Sequence, residues 1–178
     1  VWFSEQLVEF GGDQDVQYLS GVHSEVSDGR VIWSELDSGS GDSTVHVARY
    51  QDAVDAWSSP EGLVLNDSDI LNADIAAIGP VVNPTLAFGP NDVMAAAWAQ
   101  SNLASNTTGI WMSYFDGAAW TDSPLLISDE GSTFSSKNPY ITILPSGELF
   151  IAWSQEELGV ETIRYRTYDP LDPSAITP

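Results

Sequence analysis

The sequence predicts an all-β fold made of a repeated four-stranded antiparallel unit, and three observations carry that prediction. Short apolar runs ending in tryptophan recur: "SDGRVIW" ends at Trp33, "PNDVMAAAW" at Trp98 and "PSGELFIAW" at Trp153. Each contains a Gly, Asn or Asp turn signal and is too short for an ordinary helix, which suits a strand buried on both faces. An alternating segment follows each run: "VHVARYQD" from Val45, "IWMSYFDG" from Ile110 and "IRYRTYDP" from Ile163. These are rich in β-branched and aromatic residues, as strands with one wetter face are. Finally, Trp-led segments close two of the repeats, "AWSSPEGLVL" from Ala56 and "AWTDSPLLIS" from Ala119.

Taken in order, the elements form a regular series. "VWFSEQLVEF" (residues 1–10) matches the Trp-led segments, with Trp2 in the place of Trp57 and Trp120. A first unit spans residues 15–66 and opens on "VQYLSGVHSEV". A second spans 81–128 and opens on "NPTLAFGP"; a third, expected to be incomplete, spans 138–178 and opens on "NPYITILP". Ile176 stands where the next Trp would fall, so that Trp2, Trp57, Trp120 and Ile176 are 55, 63 and 56 residues apart. Four short strands repeated at this interval are the signature of β-propeller blades. A blade is a sheet with two apolar faces, which it buries against its neighbours. The Trp-ended runs are expected to be the inner strands, with Ala95, Ala96 and Ala97 in a crowded place near the axis. A β-sandwich also uses many short strands, but it has no need of one strand order three times over. Propellers have roughly four to eight blades, so three imply either part of a larger ring or half of a dimeric six-bladed one.

At 178 residues the chain suffices for one domain with a core. It is 43% hydrophobic and 11% aromatic, which excludes a disordered acidic tail. The formal charge is −21, from 26 carboxylates against five Lys and Arg. Such a surface repels phosphate backbones, so nucleic acid is not an expected partner. It fits solubility in a salty, marine or extracellular medium, where counterions screen self-repulsion. No cysteine is present, which removes disulfides and thiolate metal sites. The apolar runs fall short of the roughly 20 residues of a membrane helix, so membrane insertion is not expected.

At "SDGRVIW", "PSGELFIAW" and "YFDGAAWTDSP" the chain resembles the sialidase-like propellers with BNR (Asp-box) repeats. The Asp-box pattern Ser-x-Asp-x-Gly-x-x-Trp is met only in part, by "SGDSTVHV" from Ser40, which lacks its Gly and Trp. Kelch and WD-type signatures are missing. The resemblance implies a fold shared by sialidases, other glycoside hydrolases and non-catalytic binding modules. The arginine triad and the Tyr–Glu and Asp groups of sialidases have no matching motif here, so no catalytic residue is carried over.

Candidate site residues are few. Trp57 and Trp120 present aromatic faces of the kind on which sugars stack, although their recurrence at one repeat position also suits packing between blades. Asp67, Asp69 and Asp74 in "NDSDILNAD" offer hard oxygen ligands for calcium, without the Gly and terminal Glu of an EF-hand loop. "GGDQD" (Gly11 to Asp15) is of the same type. His23 and His46 are the only histidines, and no Gly-x-Ser-x-Gly elbow accompanies them. Asn66 and Asn106 begin glycosylation sequons. Paired carboxylates for glycoside hydrolysis require a geometry that sequence does not give.

The expected function is a non-catalytic extracellular or cell-surface binding or scaffold module whose ligand is a glycan or a protein. Two alternatives stand beside it. One is a portion of a larger sialidase-like glycoside hydrolase; the other is a calcium-stabilised structural repeat. A homodimer, or a remaining segment of the same propeller, is the expected structural partner.

Overall fold

The computed structural model describes residues 14–23, 29–37, 43–51, 56–57, 61–63, 78–90, 93–102, 106–121, 124–128 and 134–177. These residues contain strands and turns and no helix, hence none long and apolar enough to cross a membrane. The predicted fourth strand at residues 1–10 lies outside them.

The first unit consists of β1 (Gln14–His23), β2 (Gly29–Asp37) and β3 (Ser43–Gln51), followed by the short β4 (Ala56–Trp57) and β5 (Glu61–Leu63), both paired with β3. The second has β6 (Ile78–Phe88), β7 (Met94–Asn102), β8 (Thr107–Phe115) and β9 (Leu125–Leu126). The third has β10 (Phe134–Ile143), β11 (Leu149–Glu157), β12 (Val160–Asp169) and β13 (Asp172–Thr177). Within each unit consecutive strands pair antiparallel. Between the second and third, a single parallel bridge joins Thr108 to Ser135.

The second and third strands repeat in one register. Trp33, Trp98 and Trp153 pair across to His46, Trp111 and Arg164 on their third strands. The aromatic ending each third strand meets the next segment at one place, as Tyr50–Trp57, Phe115–Trp120 and Tyr168–Ile176. All three inner Trp residues are buried, at 1%, 0% and 3% exposure. Two have a glutamine two residues on that accepts from the indole, Trp98 Nε1 to Gln100 Oε1 at 3.3 Å and Trp153 Nε1 to Gln155 Oε1 at 3.2 Å. Neighbouring residues on a strand face opposite ways, so positions two apart share a face; the indole N–H is thereby satisfied inside the sheet.

Strand order from the axis differs from the sequence expectation. The first strands are the ones that meet from unit to unit: β6 packs beside both β1 and β10. They line the axis, and the Trp-ended strands lie one place out, between neighbouring sheets. Ala95, Ala97 and Ala99 of β7 therefore pack against the third unit, whereas Met94, Ala96 and Trp98 pack against the first. The alanines are small because two sheets approach face to face, not because an axis crowds them.

Two cores result. Between the first and second units lie Ile32, Val45 and Val47 against Val81, Leu86, Met94, Ala96 and Trp98. Between the second and third lie Ala87, Ala95, Ala97, Ala99, Ile110 and Met112 against Ile141, Leu149, Ile151, Trp153 and Tyr168. An arginine crosses each seam. The Arg30 guanidinium sits 5.2 Å from the centre of the Phe88 ring, and Arg166 Nη1 donates to the Ile127 carbonyl.

Candidate functional site

Each of the three first strands is bulged, between Val16 and Tyr18, Val82 and Thr85, and Lys137 and Tyr140. In the second and third units the bulge holds an Asn-Pro pair, Asn83-Pro84 and Asn138-Pro139. Proline is tolerated there because a bulge at a sheet edge leaves it no ladder hydrogen bond to break. Both asparagines are left-handed, at φ 51° and 53°, a conformation that costs other L-residues about 1–2 kcal/mol and that Asn tolerates best. Bulges re-aim side chains, and these two aim at each other: Asn83 Nδ2 donates to Asn138 Oδ1 at 2.8 Å, across 55 residues of sequence. Pro84 and Pro139 are buried, whereas Asn83 is half-buried and Asn138 exposed. The outcome is an amide pair held on two adjacent axial strands.

Polar groups support this pair. The Ser154 hydroxyl donates to the Lys137 carbonyl at 3.2 Å, tying the bulge to β11. Lys137 Nζ lies 3.4 Å from Glu161 Oε1 in a half-exposed ion pair. Ser101 and Thr108 hydroxyls meet at 3.4 Å beside the bridge to Ser135. The amides of the pair can donate and accept toward a neutral polyol.

Titrating groups with perturbed acidity lie elsewhere. Asp116 accepts from the N–H groups of Ala119 and Ala118, which hold its carboxyl below the usual range while it closes the turn after β8. Burial, with the nearby charges of Tyr114 and Asp169 adding to it, raises the Tyr168 phenol. Burial and then Asp116 do the same to Tyr114. Among the described residues no group of three or more His, Cys, Asp or Glu is disposed to hold a metal ion.

The residues singled out from sequence scatter. Trp120 is half-buried, its ring 5.4 Å from that of Phe115, and both pack against the core between the first two units. Trp57 pairs through its backbone with Tyr50. His46 stacks on Trp33 with ring centres 5.5 Å apart. His23 ends β1 opposite Gly29, and Asn106 occupies the turn before β8 at φ 53°. Asp67, Asp69, Asp74, Asn66 and Gly11 to Asp13 lie outside the described residues. Sequence reasoning passed over Asn83 and Asn138. Their signal was present in the Asn-Pro pair repeated at matched distance from the inner Trp, which marked only the strand.

The fold defines three blades of a β-propeller. No protein-family profile matches the chain, and no curated protein matches it by sequence. Solved structures do match by fold. The chain is similar to an α-L-arabinanase of Penicillium chrysogenum complexed with arabinobiose (TM-score 0.51, 14% identity, 85% of this chain and 44% of that one). It is similar to the polysaccharide lyase Uly1 (0.59, 14%, 85% and 38%) and to the α-L-arabinofuranosidase Arb93A of Fusarium graminearum (0.51, 13%, 79% and 41%). The chain spans less than half the length of each, and at these identities the likeness is one of fold.

Proposed function

We propose that the chain is part of a larger extracellular propeller that engages a carbohydrate at its axis, and that Asn83 and Asn138 contact the sugar. The observation that carries this reading is the amide pair itself: two side chains placed by matched bulges, each retaining hydrogen-bonding capacity beyond their mutual bond. An amide has two donors and a two-lone-pair carbonyl, and the bond at 2.8 Å uses one donor of Asn83 and one acceptor of Asn138. Backbone strain kept at a non-glycine position is a recurrent mark of binding sites. Support also comes from the solved neighbours, which are named as an arabinanase, an arabinofuranosidase and a polysaccharide lyase. Those names favour a second, catalytic reading, in which this segment supplies sugar contacts and other parts of the ring supply the reacting groups. The likeness to sialidase-type repeats is, in either case, proposed as one of architecture.

The test is calorimetric titration of the chain with arabinobiose, linear arabinan and a panel of other plant and algal polysaccharides. Asn83→Gly and Asn138→Gly remove the amide yet keep the left-handed backbone open to glycine. The expected result is binding of at least one panel glycan, weakened about tenfold or more by either substitution, in line with loss of a hydrogen bond worth about 1.5 kcal/mol. Absence of binding across the panel, or affinity unchanged in the double glycine variant, overturns the assignment. Release of reducing ends by the chain would decide for turnover over binding alone.

A further inference from the structure

An exposed aromatic stands on the same axial strand as Asn138. Tyr140 follows Asn138 and the buried Pro139 on β10 and resumes the ladder after the bulge, opposite Ala152. It is 61% exposed, and among the described residues none bonds to its phenol or stacks on its ring. Tyrosine in such a place offers an apolar ring face and a wet polar tip, the combination that suits a binding surface.

The second blade shows that this position keeps its access to water when a neighbouring blade is seated. Thr85 lies opposite Ala97 as Tyr140 lies opposite Ala152, one residue before the inner Trp in each case. There the third blade packs over the sheet and Ala97 is fully buried, yet Thr85 is only half-buried. Tyr165 differs. It pairs with Ala152 from the other side, and its counterpart Met112 is fully buried in the seam. Tyr165, 56% exposed, therefore belongs to the open outer face of the third blade, where its ring stacks on Phe150 at 5.5 Å. Two strand spacings set it about 10 Å farther from the axis than Tyr140.

A sugar ring presents C–H groups on one face and hydroxyls around its edge. An aromatic face receives the first and amides receive the second. We propose that Tyr140 is the stacking platform of the axial site, receiving the C–H face of a sugar ring whose hydroxyls meet Asn83 and Asn138. The inference rests on the carbohydrate reading above and deepens it. Amides alone do not tell a ring from any other polyol; the tyrosine supplies that discrimination. Because the second blade has Thr85 at the matching place, the platform stands on one side of the pair only and draws the ring toward the third blade.

Nitration by tetranitromethane, mapped by peptide mass spectrometry, reads Tyr140 and Tyr165 together, and the chain has no cysteine to divert the reagent. Both are expected to react in the free chain. Linear arabinan, or the tightest-binding glycan of the panel above, is then added at about ten times its dissociation constant, which leaves about a tenth of the sites open. Tyr140 is expected to slow about tenfold under that occupancy, and Tyr165 to react as before. Tyr140→Ala and Tyr140→Thr are expected to weaken binding about tenfold, whereas Tyr140→Phe and Tyr140→Trp, which keep an aromatic face, should stay within about threefold. Binding that depends on Asn83 and Asn138 but leaves Tyr140 reactive and tolerates Tyr140→Ala overturns the platform and leaves the amide reading standing. Equal protection of Tyr140 and Tyr165 also overturns it, since the glycan would then lie on the outer face. Binding of no glycan in the panel overturns both.

Discussion

The second and third blades share a register and differ in what they carry on it. Where β7 of the second has Ala95 and Ala97, β11 of the third has Phe150 and Ala152; where β8 has Ile110 and Met112, β12 has Ile163 and Tyr165. The first set is sealed in a seam; in the second, Ile163 and Tyr165 are exposed and Phe150 and Ala152 half-buried. The difference shows that the repeat holds hydrogen-bond register and Trp position fixed while volume is set seam by seam. The inner Trp keeps its size in every repeat, whereas the position two residues before it changes from Ala96 at one seam to Ile151 at the next.

Charge should separate the blades most. Met112→Lys buries an ammonium among Ala97, Ile151 and their neighbours with no described carboxylate in that core. A buried unpaired charge belongs to the severe class of substitutions, above about 4 kcal/mol, and is expected to abolish cooperative urea unfolding. Tyr165→Lys at the equivalent place gives up one ring stack and should cost no more than about 1 kcal/mol. Similar losses in the two variants would mean that the third blade's outer face is already sealed, and the contrast would fail.

Volume sharpens the comparison at lower amplitude. Ala97→Leu overfills the seam and is expected to lose about 1–3 kcal/mol, whereas Ala152→Leu, on the open face, should stay within about 0.5 kcal/mol. Adding Ile151→Ala to Ala97→Leu returns space on the opposite side. If volume is shared across the seam, the double variant is more stable than the sum of the two single losses predicts, with a coupling of about 0.5–3 kcal/mol in a denaturant-melt cycle. Simple additivity would show that the two residues do not compete for one space.

Much of this architecture was legible because it rests on short-range chemistry. Trp33, Trp98 and Trp153 announced three matched strands, and the pairing of Tyr50, Phe115 and Tyr168 with Trp57, Trp120 and Ile176 follows the spacing along the chain. Alternation told less. "VMAAAW" reads as buried on both sides, but nothing local tells whether neighbours come from an axis or from adjoining sheets, and Ala95 to Ala97 lie one strand further out than expected. Asn83 and Asn138 were legible as residues and not as a site, since their hydrogen bond joins two blades and depends on a bulge that sequence periodicity hides. The polar run "QEELGVE" carries no strand pattern, yet β11 runs on to Glu157 and turns in two residues. The turn lacks the Asn-Gly or Asp-Gly that marks such hairpins.

That turn provides the smallest test. Leu158 and Gly159 both have positive φ, 52° and 81°, which is the geometry of a two-residue hairpin whose twist suits its strands. In the second blade the residue entering the third strand with positive φ is Asn106, at 53°. Leucine pays for a left-handed conformation that asparagine accepts, by about 1 kcal/mol, and Leu158 recovers nothing by burial, being 81% exposed. Leu158→Asn is therefore expected to stabilise the chain by about 1 kcal/mol, a rise of about 2–4 °C in Tm. Asn106→Leu, in the exposed turn before β8, should lose a similar amount. Calorimetric melts of both variants decide the matter: a drop in Tm for Leu158→Asn would mean that the exposed leucine makes contacts outweighing its backbone strain, and that the third blade's hairpin is held by its side chain and not by its turn.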